Sequence, residues 1–506
     1  MAVILVAGSF GANAATYYVS QVAGNDGNGG TNSGAPWKNC PGMSAYSGSG
    51  TLRPGDTVYF DRSNTWLVSG TGGIFLTGGV TYVGNSWGSG NSKAHLQATS
   101  AMDSGVVAFT DHPAYPTIFQ GFNVDANGQV TSGVNINWAH WWLQNGATKR
   151  VQDCEVHNSW SRTSLNQYQY GLIISNHGGA GGYCENVEIL NCVVHDTSRD
   201  GLCLYPGDQN ANCRIKNITV RGCEVYNTGQ DPDYGAGAGI LVKGYVVDAF
   251  VEYNYVHNTK GAMVFVNGNE TNHYGLGPTN IHFRYNIVTG NNVNGGIRLY
   301  DGRSGADPKD IKIYGNLIYN STTNGGFYIG TDLGNSLSLL VYNNTFYNSP
   351  VLISSNNATV TVFEFKNNIV YCNGGVPLTD SQGKISSHSN NIFYSSSGTL
   401  VTSQSVSYNS SNLNSGYEAS ASSSDPRYKN TANLPTGFTG TYGVNLAPNN
   451  DGLSLQQGSP GIDQGIVLAD LPAFGPKVVV IAFVYSHKRW LILNRPFDYG
   501  TYERHT

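Results

Sequence analysis

The feature that most constrains this chain is a short motif of strand, turn and strand that recurs along much of its 506 residues. Each clear copy opens on Cys or Asn and has an apolar third residue. The copies begin at Cys154, Cys192, Cys223, Asn254, Asn286, Asn316 and Asn344, with weaker ones at Asn368 and Asn391. Successive copies start 23 to 38 residues apart, which is the period of a solenoid with loops of variable length.

Each copy is accompanied by two further strands. One precedes the motif, as at Val187 to Leu190 and Ile218 to Val220, and a third follows a loop. The third strand opens on a glycine, namely Gly171, Gly201, Gly239, Gly261, Gly296 or Gly326. Three short strands per coil, with coils stacked ~4.8 Å apart, predict an all-β fold, a single-stranded right-handed parallel β-helix. The opening Asn and Cys residues should form a ladder in the turn between the first two strands.

The composition agrees with a solenoid built from short strands. Glycine occurs 65 times and tyrosine 32 times, and only 12% of residues are charged. The formal net charge of -5 provides no basic surface for nucleic acid or anionic lipid, so neither is expected as a partner. We expect the protein to be a monomer.

The chain divides into four predicted regions. Residues 1–14 are interpreted as a signal peptide, because an apolar run is followed by Ala12, Asn13 and Ala14, and this predicts a secreted protein, extracellular or periplasmic. Residues 15–150 are predicted to form the N-terminal cap and first coils, and residues 151–400 the regular coils with a substrate groove. Residues 401–506 are predicted as irregular C-terminal coils and a cap. Within this region, the segment 477–494 is both apolar and basic. We interpret it as part of the cap, and the alternative is that it comes from a cloning or reading-frame artefact.

Alternation along the third strand predicts which side chains face outward. The first and third residues after each glycine are apolar and should point inward. The residue before the glycine and the second and fourth after it should then face outward. This outward set contains Tyr170, Asp200, Tyr205, Lys243, Lys260, Phe265, Arg298, Tyr300 and Tyr328, and His177, Asp208, Asn267, Asp301 and Asp332 lie just beyond it. The loop before Gly239 adds Asp231 and Asp233, and together these residues predict a groove for an extended sugar polymer.

The repeat and its ladder resemble those of the pectin-lyase-like superfamily. The opening segments Tyr17 to Ser20, Pro36 to Lys38 and Leu52 to Asp56 are similar as well. That superfamily includes pectate lyases, alginate lyases, chondroitinases and polygalacturonases, and the resemblance extends over roughly residues 16 to 470. It implies a carbohydrate-active enzyme. Of the motifs typical of polygalacturonases only Arg214-Ile215-Lys216 is present, ahead of an early strand, so the roles known for that family are not carried over.

A polysaccharide lyase that cleaves a uronate polymer by β-elimination is the leading hypothesis. The reaction needs a base and a positive group that stabilises the developing enolate. Lys243, Lys260 and Arg298 are candidates for these roles, and Tyr205 and Tyr300 for the proton donor. Tyr170, His177, Asn267 and Tyr328 are candidates for substrate binding. Ca²⁺ prefers several oxygen ligands, and the candidates to hold it are Asp200, Asp208, Asp231, Asp233 and Asp301.

Two other classes of function stay open at this point. A glycoside hydrolase needs two carboxyl groups across the scissile bond, and Asp200 with Asp233 or Asp301 would supply them. A non-catalytic β-helix, such as an adhesin or a glycan-binding protein, would carry the same repeat without a reactive centre.

Overall fold

The structure is a computed structural model. It describes residues 14–70, 73–136, 146–159, 169–175, 183–206, 214–231, 237–262, 264–267, 277–290, 295–300, 308–330, 337–354, 360–440, 446–466 and 468. The predicted signal segment, apart from Ala14, and the segment 477–494 lie outside the described residues. In the described part, no helix has both the length and the apolar character needed to cross a membrane.

The strands form three long sheets, and each coil contributes one strand to each of them in turn. The strands of the first sheet are Thr16–Val19, Thr57–Asp61, Thr81–Trp87, Thr117–Gln120, Lys149–Gln152, Tyr183–Leu190, Arg214–Arg221, Val246–Glu252, Thr279–Arg284, Lys309–Tyr314, Leu337–Tyr342, Val360–Lys366 and Ser387–Ser389. All of them pair in parallel, because the chain completes a full coil before it returns to the same sheet.

The second sheet holds the strands that follow the ladder turn. They are Thr65–Val68, Ala94–Ala98, Phe122–Asp125, Glu155–Ser159, Val193–Thr197, Glu224–Tyr226, Tyr255–His257, Ile287–Thr289, Leu317–Tyr319, Thr345–Tyr347, Ile369–Cys372 and Ile392–Ser395. All of these strands are only three to five residues long, so the stack of coils, rather than any single strand, supplies their stability.

The third sheet contains the glycine-led strands. They are Ile74–Leu76, Val107–Phe109, Val134–Ile136, Leu172–Ser175, Leu202–Tyr205, Ile240–Lys243, Val264–Asn267, Ile297–Tyr300, Phe327–Ile329, Val351–Ile353, Leu378–Asp380, Thr399–Ser403 and Val406–Asn409. The last strand turns back antiparallel to its neighbour and ends the regular stack. This is the three-strand parallel β-helix that the sequence predicts.

The core is a continuous column of apolar side chains inside the coils. Along the third sheet, the inward positions Leu202, Ile240, Val264, Ile297 and Phe327 pair in register from coil to coil, and each is at most 1% exposed. Burying one such side chain contributes about 1.5 to 3 kcal/mol, and the column repeats this gain in every coil.

The asparagine ladder is present, as predicted. The amide oxygen of Asn286 accepts hydrogen bonds from the backbone N–H and the side-chain amide of Asn254, both at 3.0 Å. The same pattern links Asn286 to Asn316, Asn316 to Asn344, and onward through Asn368 to Asn391. Cys223 joins the ladder because its N–H donates to Asn254 at 2.9 Å, and Cys154 and Cys192 lie buried at the equivalent turns. Glu418 ends the ladder by accepting from Asn391, which the repeat did not predict.

The C-terminal part of the chain folds back along the second sheet. After the helix Leu413–Gly416, the chain forms the small antiparallel pair Phe438–Thr439 and Ala447–Pro448. Tyr428, Leu453 and Leu455 pack on outward side chains of the later coils, and the Tyr319 hydroxyl donates to the carbonyl of Pro435 at 2.6 Å. This segment covers the outward face of the second sheet from about Ile287 onward.

Candidate functional site

The outward face of the third sheet carries two columns of residues, which the backbone register defines. The first contains Ile173, Cys203, Leu241, Arg298 and Tyr328. Phe265 pairs between Leu241 and Arg298 and so continues that column. The second column lies two residues further along each strand and contains Ser175, Tyr205, Lys243, Asn267 and Tyr300. Both columns run along the axis of the β-helix, as the predicted groove requires.

The predicted polar character of this face is only partly correct. In three successive coils the first column holds Ile173, Cys203 and Leu241, each at most 3% exposed. They pack with Tyr170 and Ala238 in a small apolar cluster outside the main core. The described polar side chains of the face therefore lie around this cluster, in the second column and, at Arg298 and Tyr328, in the later coils of the first column, rather than at every outward position.

The predicted position of Lys260 on the third strand is wrong. The register pairs Val264, not Ala262, with Ile240 and Ile297, so two extra residues separate Gly261 from its strand. Counting residues from Gly261 does not reveal this insertion, because Ala262 stands where an inward residue is expected and is itself apolar. Lys260 instead lies in the turn that follows the second sheet, and its ammonium donates to the backbone carbonyl of Asp231 at 2.7 Å.

Three cations on this face each lie over a tyrosine ring from a neighbouring coil. The Lys243 ammonium is 4.6 Å from the centre of the Tyr205 ring. The Arg298 guanidinium is 5.3 Å from the Tyr328 ring centre, and that of Arg199 is 5.6 Å from the Tyr170 ring centre. Such pairs favour the charged group at a partly desolvated surface. We call these six residues the cation–tyrosine strip.

Arg199 is a member of the strip that sequence reasoning missed. Its guanidinium also donates to the Tyr170 hydroxyl at 3.1 Å. Because Arg199 lies two residues before Gly201, in the turn rather than in the strand, alternation along the strand does not predict its direction. The only available signal was its place directly before Asp200.

Asp200 is buried beneath the strip, with 2% of the residue exposed. One carboxylate oxygen accepts the Ala238 N–H at 2.7 Å, and the other lies 3.4 Å from Nε of Arg199. Burial raises the pKa of Asp200, although Arg199, the Ala238 N–H and Lys243 each act to lower it. Asp200 is therefore placed to hold Arg199 and the start of the neighbouring strand.

Two of the five predicted calcium ligands, Asp200 and Asp231, are described, and these two do not form a cation site by themselves. Asp200 is paired with Arg199, a cation that competes with a metal, and Asp231 is also buried at 2% exposed. Within the described residues, no group of three or more His, Cys, Asp or Glu side chains is arranged to hold a metal. Asp208, Asp233 and Asp301 lie outside these residues, so calcium binding stays a prediction that depends on them.

The remaining predicted site residues are placed only in part. His177 lies outside the described residues. For Asn267 and Tyr300, the backbone register shows that both belong to the second outward column with Lys243, and their side chains are not described. Five predicted catalytic and binding residues have side chains that the structure brings to one face, namely Tyr170, Tyr205, Lys243, Arg298 and Tyr328.

No family model matches the chain, and no curated protein matches it. Among solved structures, the chain is similar to a lacto-N-biosidase from Eubacterium ramulus, at 16% identity with a TM-score of 0.47. That match covers 75% of this chain and 64% of the other, so the chain spans less than two thirds of that protein's length. A pectate lyase matches at 13% identity with a TM-score of 0.39, over 93% of this chain and 96% of the other.

A third match is a mannuronan C-5 epimerase module from Azotobacter vinelandii, at 15% identity and a TM-score of 0.29, over 60% of this chain and 89% of the other. The fold itself rests on observations within this chain, namely three stacked parallel sheets and an asparagine ladder. These give the chain the β-helix fold of pectin-lyase-like proteins.

Proposed function

We propose that this protein is a secreted polysaccharide lyase that cleaves a uronate-containing polymer at the outward face of the third sheet. The observation that carries the proposal is the cation–tyrosine strip. Three cations, Arg199, Lys243 and Arg298, lie on one face of a chain whose formal net charge is -5. A row of positive charges along an extended surface suits a polymer with repeated carboxylates, and tyrosine rings suit sugar faces.

Lys243 is the candidate base and Tyr205 the candidate acid. For β-elimination the Lys243 ammonium first gives up its proton to solvent, and the resulting amine removes the proton next to the uronate carboxylate. The electron pair of that C–H bond forms a double bond as the glycosidic C–O bond breaks, and the Tyr205 hydroxyl donates a proton to the leaving oxygen. The two residues lie in the same outward column on neighbouring coils, within reach of one sugar linkage.

Arg298 is the candidate that neutralises the substrate carboxylate. It lies two coils beyond Lys243, so about 10 Å separates their backbones along the axis. A guanidinium binds a carboxylate through two parallel hydrogen bonds and stays charged at any working pH, which suits binding better than proton transfer. Tyr328, beneath its guanidinium, orients it.

Glycoside hydrolysis is the second candidate function. The observation that bears on it is the environment of the buried Asp200 carboxylate. Burial raises the pKa of Asp200, as a general acid requires. However, Asp200 is 2% exposed, and its two oxygens face the Ala238 N–H and Arg199. These contacts favour a positioning role over direct contact with a glycosidic oxygen, so the lyase is the better supported of the two.

Product analysis separates the candidates. Purified protein is incubated with pectate, alginate, glycosaminoglycans and neutral glycans, with and without a chelator. A lyase gives products that absorb in the ultraviolet through the new conjugated double bond, whereas a hydrolase gives new reducing ends without that absorbance. New reducing ends without absorbance on every substrate would overturn the lyase proposal, and no cleavage at all would favour the binding protein. Inhibition by the chelator, reversed by added Ca²⁺, would support the predicted metal.

A further inference from the structure

A cavity of about 450 Å³ opens at the corner between the second and third sheets. It is lined by Thr228, Gly229, Gln230, Asn258, Thr259 and Lys260. These residues come from two equivalent turns on neighbouring coils, which follow the strands Glu224–Tyr226 and Tyr255–His257. The volume lies within the ~300 to 1,000 Å³ that is typical of small-molecule sites.

The frame of this corner cavity is held by backbone hydrogen bonds. The N–H groups of Gly229 and Gln230 donate to the carbonyls of Arg199 and Thr197 at 2.7 and 2.9 Å. The Lys260 N–H donates to the carbonyl of Thr228 at 3.2 Å. The Thr228 hydroxyl points inward and donates to the carbonyl of Gly237 at 2.7 Å. The cavity walls are therefore built into the stacked turns, and they adjoin the backbone of Arg199 in the cation–tyrosine strip.

The polar groups at the cavity are of the kind that bind sugar hydroxyls. In earlier coils the equivalent turn asparagines are engaged, since the amides of Asn158 and Asn227 donate to Asp125 and Asp196. In the coil before Asn258, the position equivalent to Asp196 is occupied by Asn227, which offers no carboxylate to the Asn258 amide. Among the described residues, the side-chain amides of Asn258 and Gln230 have no hydrogen-bond partner, and both residues are exposed. An amide can donate to one hydroxyl and accept from its neighbour, and the Lys260 ammonium is held beside them by the Asp231 carbonyl.

We propose that this corner cavity binds a neutral sugar unit with adjacent hydroxyls, carried as a branch on the polymer that occupies the strip. The branch assignment rests on the proposed function, whereas binding of the sugar itself does not. Gln230, Asn258 and Lys260 supply the donors and acceptors. In this proposal Lys260 binds the sugar from a turn that precedes the third strand.

Saturation-transfer NMR on the full chain tests the proposal. The probes are methyl glycosides of galactose, arabinose, rhamnose and xylose, each added alone. At least one should receive saturation from the wild-type protein. Lys260→Met and Asn258→Gly should each weaken its apparent affinity about tenfold, which corresponds to about 1.4 kcal/mol. Glycine suits position 258 because the backbone there has φ near +49°, which glycine adopts without strain.

Lys312→Met, on the first sheet, is the matched control and should bind as the wild type does. Thermal melting of each variant shows whether it folds, and if one variant does not fold, the other still decides. Binding that is equal in the wild type and both pocket variants, or no binding of any probe, overturns the proposal. If a probe binds at the cavity but no polymer gives ultraviolet-absorbing products, the lyase proposal fails and the sugar site stands.

Discussion

The Lys243 ammonium lies 4.6 Å from the centre of the Tyr205 ring on the preceding coil. The two side chains belong to the same outward column of the third sheet, and neither is part of the main core. This relationship places a candidate base and a candidate proton donor together on the surface that also carries Arg298.

The first prediction concerns Lys243. Replacing it by Met keeps the length of the side chain but removes the amine, so turnover of the uronate polymer should fall by ~10² to 10⁴-fold. The melting temperature should change little, because outward residues contribute little to the core. The initial rate of ultraviolet-absorbing product reports the effect, with Lys312→Met on the first sheet as the control. Full activity in Lys243→Met would remove Lys243 from the mechanism.

The second prediction concerns the ladder. Asn286 donates from its amide to the carbonyl of Val251 at 2.9 Å and to Asn316 at 3.0 Å, and it accepts from Asn254. Asn286→Leu should lower the free energy of unfolding by about 1 to 3 kcal/mol, because buried turn groups lose their partners. Denaturant unfolding measures this, and Asn373→Leu at an exposed position is the control. Equal midpoints for the two variants would show that the ladder contributes little.

The third prediction concerns a buried carboxylate on the first sheet. Glu252 is fully buried between Arg221 and Arg284, and although burial alone would raise the pKa of Glu252, the two guanidinium groups lower it overall. Glu252→Gln should destabilise the fold by roughly 1 to 3 kcal/mol, less than for a fully buried pair because both arginines are partly exposed.

The control for this third prediction is Glu188→Gln. Glu188 pairs with Arg150 on the same sheet, but both side chains are more than a quarter exposed, so the loss should stay below ~1 kcal/mol. Urea unfolding at neutral pH compares the two variants. A larger loss for Glu188→Gln than for Glu252→Gln would contradict the assignment.

The fourth prediction concerns stability in acid. Burial, Lys312 and Arg284 lower the pKa of His282 to about 4, so the folded protein keeps this ring neutral. Between about pH 6.5, the ordinary value, and pH 4, the unfolded chain binds a proton there that the folded chain does not. Stability should therefore fall as the pH drops through this window, by roughly 3 kcal/mol from this one group.

Unfolding midpoints measured at several pH values test the fourth prediction. His282→Gln should flatten the pH dependence between pH 6.5 and 4, whereas His112→Gln, in a loop near the N-terminal coils, should not. A pH profile that is the same in the wild type and His282→Gln would show that another group is responsible.

The inward positions were predictable because strand alternation has a period of two and the core admits only apolar side chains. The side chains on the outward face of the third sheet follow no such rule. Ile173, Cys203 and Leu241 point outward and are nonetheless buried, so apolar residues appear at positions where alternation predicts polar ones. Lys260 was placed on the third strand for a related reason. Two extra residues precede this strand, and the apolar Ala262 stands where the first inward residue was expected.

The sequence by itself determined the three-strand coil, the direction of the inward side chains and the ladder, because each depends on a local pattern repeated in every coil. Only the tertiary structure decided that Arg199 joins the strip, that Lys260 leaves it for the corner cavity, and that Asp200 lies beneath it. It also decided that the C-terminal segment covers the later coils of the second sheet. These outcomes depend on loop lengths and on contacts between distant segments, which no repeating pattern records.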